Sequence, residues 1–241
     1  MTVTDTGGAA EPQGLPSRMI GVLISPAETF RRLIARPRWL DVLLVVTLIP
    51  AALWFWFLTT ESGQVAFLDQ QVRQMESFGQ TVTDEAYAGI ERSLPYMPYV
   101  VGGSTLVFGP IMTLIVAAIL FAVFNAGLGG NASFKQVFSF VAHSGVVTML
   151  QVIFTIPLNY VRESMSSPTN LFVFFPMLEE GSAIARFLGI IDLFIIWWIA
   201  VLAVGLAVLY RRRTMPIFVG LMATYVGFAL IVALVMSAMS S

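Results

Sequence analysis

LDVLLVVTLIPAALWFWFL, residues Leu40 to Leu58, holds one acidic side chain, no basic one and almost nothing else that water would solvate. Nineteen such residues as a helix rise about 28 Å, the thickness of a hydrocarbon core. Four further runs have this character, at about residues 99–124, 137–161, 187–209 and 217–239. None alternates strictly, and each far exceeds the roughly ten residues that a barrel strand needs. Helices satisfy every backbone group within their own segment, as lipid demands. The fold class expected is therefore all-α, a polytopic bundle of five transmembrane helices.

Composition agrees. Apolar residues make up 57% of the 241 and charged residues 11%, against about 45–50% and about 25% in an ordinary soluble protein. Mean hydropathy is +0.83. A soluble enzyme and a disordered chain are excluded, and the absence of cysteine removes disulfide frameworks and thiolate chemistry. A net charge of −1 lacks the basic face that nucleic acid requires.

Basic residues near the span ends set the orientation. With the N-terminus cytoplasmic, that side holds Arg18, Arg31, Arg32, Arg36, Arg38, Lys135 and Arg211 to Arg213, while Arg73, Arg92, Arg162 and Arg186 lie outside. Residues 1–16, polar and rich in Gly and Pro, read as a disordered tail without the features of a secretory signal, ahead of a membrane domain over 17–241.

Before the first span, Ser25, Pro26 and Glu28 form a helix-start signal of the capping-box kind. Phe30, Leu33 and Ile34 then share one face and Arg31, Arg32 and Arg36 the other, which predicts an amphipathic helix lying among lipid headgroups, or an anchor for the first span. The connection 59–98 predicts an acidic outer hairpin, with the stripe Val65, Leu68, Val72, Met75 in one helix and Thr83 capping the next. Within 162–186, the run Leu171 to Met177 is too short to span. Its Phe172, Phe174 and Phe175 either dip into the outer leaflet or cover a groove between helices.

Few ionisable groups enter the spans: Asp41 at the inner end of the first, His143 in the third and Asp192 in the fourth. His143 and Asp192 lie at roughly 8–10 Å from opposite faces, so they should not meet. His143 is nearer in depth to Asp41 and Lys135, and Arg162 or Arg186 can neutralise Asp192. The spacing Gly189, Asp192, Ile196, Ile199 predicts an inward stripe, with Asp192 near Asn159 and Arg162. Gly102, Gly103, Gly109, Ala203, Ala207, Ala223 and Gly227 allow close helix packing, within the chain or in a homodimer. Pro50 and Pro110 should kink their spans.

Signatures of catalysis are missing. No zinc-binding helix, nucleophile elbow or complete phosphate loop occurs, and one histidine cannot make the usual zinc site, so neither metal nor cofactor is expected.

Three stretches, Ser25-Pro-Ala-Glu-Thr-Phe30, Gly129-Gly-Asn-Ala-Ser-Phe-Lys-Gln-Val-Phe138 and Ile191-Asp-Leu-Phe-Ile-Ile-Trp-Trp198 followed by Gly205, resemble the Yip-domain family. That is the Ypt/Rab-interacting type of membrane protein, and the likeness is to its prokaryotic branch. The resemblance extends over about Met19 to Met239 and implies the five-span layout. Eukaryotic relatives engage prenylated small GTPases through a long cytosolic N-terminal region, which here is only some forty residues. Prokaryotic relatives have no settled activity, and some accompany ABC-type exporters.

These readings lead to a non-enzymatic protein of the bacterial inner membrane that binds lipid or a partner protein, with Phe30, Arg31, Arg32, Arg36, Phe172, Phe174 and Phe175 as contacts. The alternative is a small transporter or lipid-moving protein with a groove between helices.

Overall fold

The computed structural model describes residues 14–179 and 181–239. Two short helices come first, α1 (Leu15–Ile24) and α2 (Pro26–Ala35), followed by the first long one, α3 (Leu40–Thr59). Next come the hairpin helices α4 (Glu61–Ser77) and α5 (Asp84–Ser93), then α6 (Met97–Phe121) and α7 (Phe134–Arg162). The last described helices are α8 (Ala183–Ile190), α9 (Leu193–Tyr210) and α10 (Thr214–Met239). Among the described residues, five helices are long and apolar enough to cross a membrane.

Most of the expected tail, residues 1–13, lies outside the described residues. Its end does not behave as a tail: Leu15 and Pro16 already form the first turn of α1. Arg18 and Val22, four residues apart, are that helix's buried face.

The most enclosed helix is α7, which packs against α3, α6 and α9. Its start is a complete capping box: Ser133 Oγ accepts from Gln136 N, and Gln136 Oε1 accepts from Ser133 N. The box expected at Ser25 does not form, for Ser25 caps α2 through no side-chain bond, and Thr29 Oγ1 donates to Ser25 O instead.

Close approaches are set by small residues. A Cβ on Gly102 would sit 3.3 Å from Phe55 Cβ and one on Gly109 3.4 Å from Thr47 Cγ2, so both glycines seat α6 on α3. Ala203 and Ala207 are buried in the core, whereas Ala223 is exposed and Gly103 and Gly227 have open space beside them. Helices α3 and α6 continue through Pro50 and Pro110. The expected hairpin is present, with Thr60 and Thr83 capping its two helices. Its buried face is shifted, however, to Gly63, Ala66 and Phe67, while Val65 is exposed. Gly63 decides this, because any Cβ there would overlap Phe57 O.

The fourth span departs most from expectation. Instead of one helix over 187–209, the chain breaks at Ile191 and Asp192 between α8 and α9. Aspartate competes poorly inside a helix and favours the N-cap, and Asp192 is the N-cap of α9, its Oδ1 accepting from Phe194 N at 2.8 Å. The stripe from Gly189 through Asp192 to Ile199 is therefore not a helical face.

Candidate functional site

Two sets of intramembrane polar groups sit at opposite ends of the bundle, and His143 and Asp192 belong to different ones. At the end that carries most of the arginines, hereafter the basic end, Arg18 of α1 reaches inward. Its guanidinium pairs with Asp41 Oδ2 in the first turn of α3 and lies 3.2 Å from His143 Nε2 on α7. His143 Nδ1 is 2.7 Å from Ser139 O. A carbonyl only accepts, so Nδ1 carries the proton and Nε2 accepts from Arg18. Asp41 Oδ1 also accepts from Val42 N. One guanidinium thus joins three helices.

Arg18 was legible only as one of the positive charges near the first span. The signal that marks it is its place in the apolar run Leu15 to Ile24, one turn from Val22. Lys135, two turns before His143 in α7, is exposed and takes no part in the set. The Asp41 side chain is 41% exposed, on a recess of about 500 Å³ lined by Trp39, Leu44 and Lys135.

At the opposite end, Asp192 is buried and points inward, as expected, but its partners are others. Oδ2 accepts from Ser167 Oγ at 2.6 Å and Thr169 Oγ1 at 2.7 Å. The Asp192 amide donates to Tyr225 Oη on α10, which donates in turn to Ile190 O. Thr169 to Leu171 pair alongside the break through Leu171 N to Ile191 O and Leu193 N to Thr169 O. These bonds satisfy the backbone groups that a broken span would leave bare in lipid. Arg162 is exposed and makes no ion pair with Asp192, Arg186 Nε donates to Gly181 O, and Asn159 turns its amide toward Ser164 O and Ser166 O. Expecting charge neutralisation was wrong because hydroxyl donors and a helix N-terminus already stabilise this carboxylate.

Among the proposed contact residues, Phe30 is corrected. Its ring is fully buried, edge-on to Phe140 at 5.0 Å and against Gly205, so it holds α2 to α7 and α9 and is not open to lipid. Gln136 Nε2 donating to Ile34 O and Ser139 Oγ donating to Arg38 O fasten the same segment to α7. Arg31, Arg32 and Arg36 remain exposed, with Arg32 also paired to Glu28. Phe174, Phe175 and Met177 project outward and Phe172 is half-buried, so this run presents apolar side chains rather than filling a groove.

The basic end has a third feature. After α6 the chain takes a wider π-type turn over Ala122–Gly127 and then the glycine-rich loop. Tyr210 Oη donates to Asn125 Oδ1, Phe124 stacks on Tyr210 at 4.9 Å, and Arg212 donates to Leu128 O. Gly130 is required here, because a Cβ would come within 2.4 Å of the Tyr210 ring. The loop is therefore braced against the end of α9 by Tyr210 and Arg212.

Among the described residues no three His, Asp or Glu side chains gather as a metal site would require. No curated protein and no solved structure matches the chain. The family model of the Yip1 domain matches residues 20–237, which takes in α2, the Phe30–Gly205 contact, the glycine-rich loop and the broken fourth span. The chain is accordingly a multi-pass membrane protein that belongs to the Yip1 domain family.

Proposed function

We propose that this Yip1-domain protein is a non-enzymatic module of the bacterial inner membrane, binding lipid or a partner protein at its basic, cytoplasmic end, in membrane organisation or as an accessory to export. The observation that carries this reading is α2. Its apolar side chains Phe30 and Leu33 are spent on packing, so the helix is held rigidly while Arg31, Arg32 and Arg36 stay exposed beside the membrane-spanning bundle. Anionic phospholipid is the ligand this chemistry favours, at about 1 kcal/mol for each arginine close to a charged membrane surface. The two polar sets, Arg18 with Asp41 and His143, and Asp192 with Ser167 and Thr169, bind helices and loops to one another, which fits a structural use of these groups.

The test compares purified wild-type protein with R31E/R32E/R36E for retained acidic phospholipid and for co-purifying proteins. The proposal expects the variant to lose acidic lipid, a partner, or both. Identical contents would refute it. A second reading, movement of lipid or solute, is favoured by an apolar groove of about 770 Å³ lined by Ile119 and Leu120 of α6 and by Ile217 and Leu221 of α10, and transport of a labelled lipid or solute in reconstituted vesicles above that of empty vesicles would establish it.

A further inference from the structure

Helix α6 packs on α3 and α7, and α10 on α9 and α8, which leaves an apolar groove of about 770 Å³ between them at the basic end. Ile119, Val123 and Leu128 line one wall and Ile217, Gly220 and Leu221 the other. Ile119, Val123 and Leu128 are about half exposed, so the groove opens sideways to where lipid would lie. From Arg213 at its mouth to Thr224 at its far end is eleven residues, about 16 Å of helix, close to the depth of one leaflet of a ~30 Å core.

The mouth is charged. Arg211, Arg212 and Arg213 rim it, and Arg211 and Arg212 also line an adjoining polar recess of about 430 Å³ with Gly129, Asn131 and Gln136. Arg212 is committed to Leu128 O, but none of the ion pairs among the described residues involves Arg211 or Arg213. Arg211 ends α9 in the left-handed conformation at φ 52°, where glycine would serve at less cost. An apolar slot one leaflet deep, with two uncommitted guanidiniums at headgroup height, matches an anionic phospholipid in both length and charge.

We infer that the groove between α6 and α10 binds one anionic phospholipid of the leaflet at the basic end. Arg211 and Arg213 hold its phosphate, and its acyl chains lie against Ile119, Val123, Ile217 and Leu221. This rests on the lipid-binding reading above but uses residues distinct from α2.

The test places the full chain in phosphatidylcholine nanodiscs doped with phosphatidylglycerol or phosphatidylcholine carrying a photoreactive acyl chain, and maps the cross-linked peptides. Wild type should cross-link to phosphatidylglycerol at 119–128 and 217–224, about tenfold above phosphatidylcholine. R211Q/R213Q should bring the two lipids level. G220W, which fills open space beside Gly220 without changing charge, should abolish cross-linking of both at these peptides, while G103W, in open space outside the groove, should change nothing. Equal labelling of wild type by both lipids, unchanged selectivity in R211Q/R213Q, or protein-to-protein cross-links through α10 in place of lipid would overturn the inference. R31E/R32E/R36E should leave the groove labelling intact. Loss of acidic lipid in that variant with no groove selectivity in wild type sinks this site alone, whereas groove selectivity without any α2 effect sinks the reading of α2 alone.

Discussion

Replacing Asp41 by alanine should damage the protein more than replacing its partner Arg18 by methionine. The reason is an asymmetry of burial. The Arg18 side chain is 5% exposed and the Asp41 side chain 41%. Without Asp41, a guanidinium stays buried against His143 with its counter-charge gone, and a buried charge stripped of its partner costs about 3–5 kcal/mol. Without Arg18, Asp41 keeps its bond from Val42 N and turns to water in the neighbouring recess, and methionine fills much of the vacated volume. What remains is the lost donor to His143 Nε2, about 1–2 kcal/mol. The double variant R18M/D41A removes both charges and should return to within about 1 kcal/mol of R18M alone. Equilibrium unfolding of the reconstituted protein by added denaturing detergent would measure all three. R18M as damaging as D41A, or a double variant equal to the sum of the singles, would refute the view that burial of the arginine sets the cost.

Asp192→Asn should fold with a loss of about 1 kcal/mol, since an amide still accepts from Phe194 N and donates to the Ser167 and Thr169 hydroxyls, while Asp192→Leu should lose about 2–4 kcal/mol with the cap and both hydroxyl bonds; thermal aggregation in detergent ranks them. Gly205→Ala should loosen α2, because the new Cβ meets the Phe30 ring at 3.2 Å, and adding Phe30→Leu should restore it; amide exchange of residues 26–35 reads both effects. A C-terminal reporter enzyme active only in the cytoplasm should stay silent if the N-terminus is inside, and activity would reverse the orientation.

The five spans were legible because lipid asks a one-dimensional question, whether about twenty consecutive residues avoid charge, although the long helix of the fourth begins only at Leu193, after the break. The hairpin was legible through Thr83, whose cap is local. Other features were not. The stripe Val65 to Met75 marks a helix but not its buried face, which Gly63 against Phe57 O places at Gly63, Ala66 and Phe67, and a glycine's closest neighbour is invisible to periodicity. The break at Asp192 was missed because apolar residues on both sides carry the same hydropathy whether the backbone is one helix or two.

The candidate site divides in the same way. From the sequence alone came the exposed arginines of α2, the inward Asp192 and the separation of His143 from it, all of which follow from helical rise and the cost of bare charge in lipid. Tertiary structure alone decided that Arg18 joins Asp41 to His143 across 125 positions of chain, and that Phe30 is packed on Phe140 rather than open to lipid. It alone decided too that Ser167, Thr169 and Tyr225 meet at Asp192 and that a groove stays open between α6 and α10. Hydropathy orders residues along one axis, the membrane normal. Which helix stands beside which is settled in the other two dimensions, where glycine contacts, buried hydrogen bonds and side-chain volumes compete, and no periodicity along the chain records the outcome.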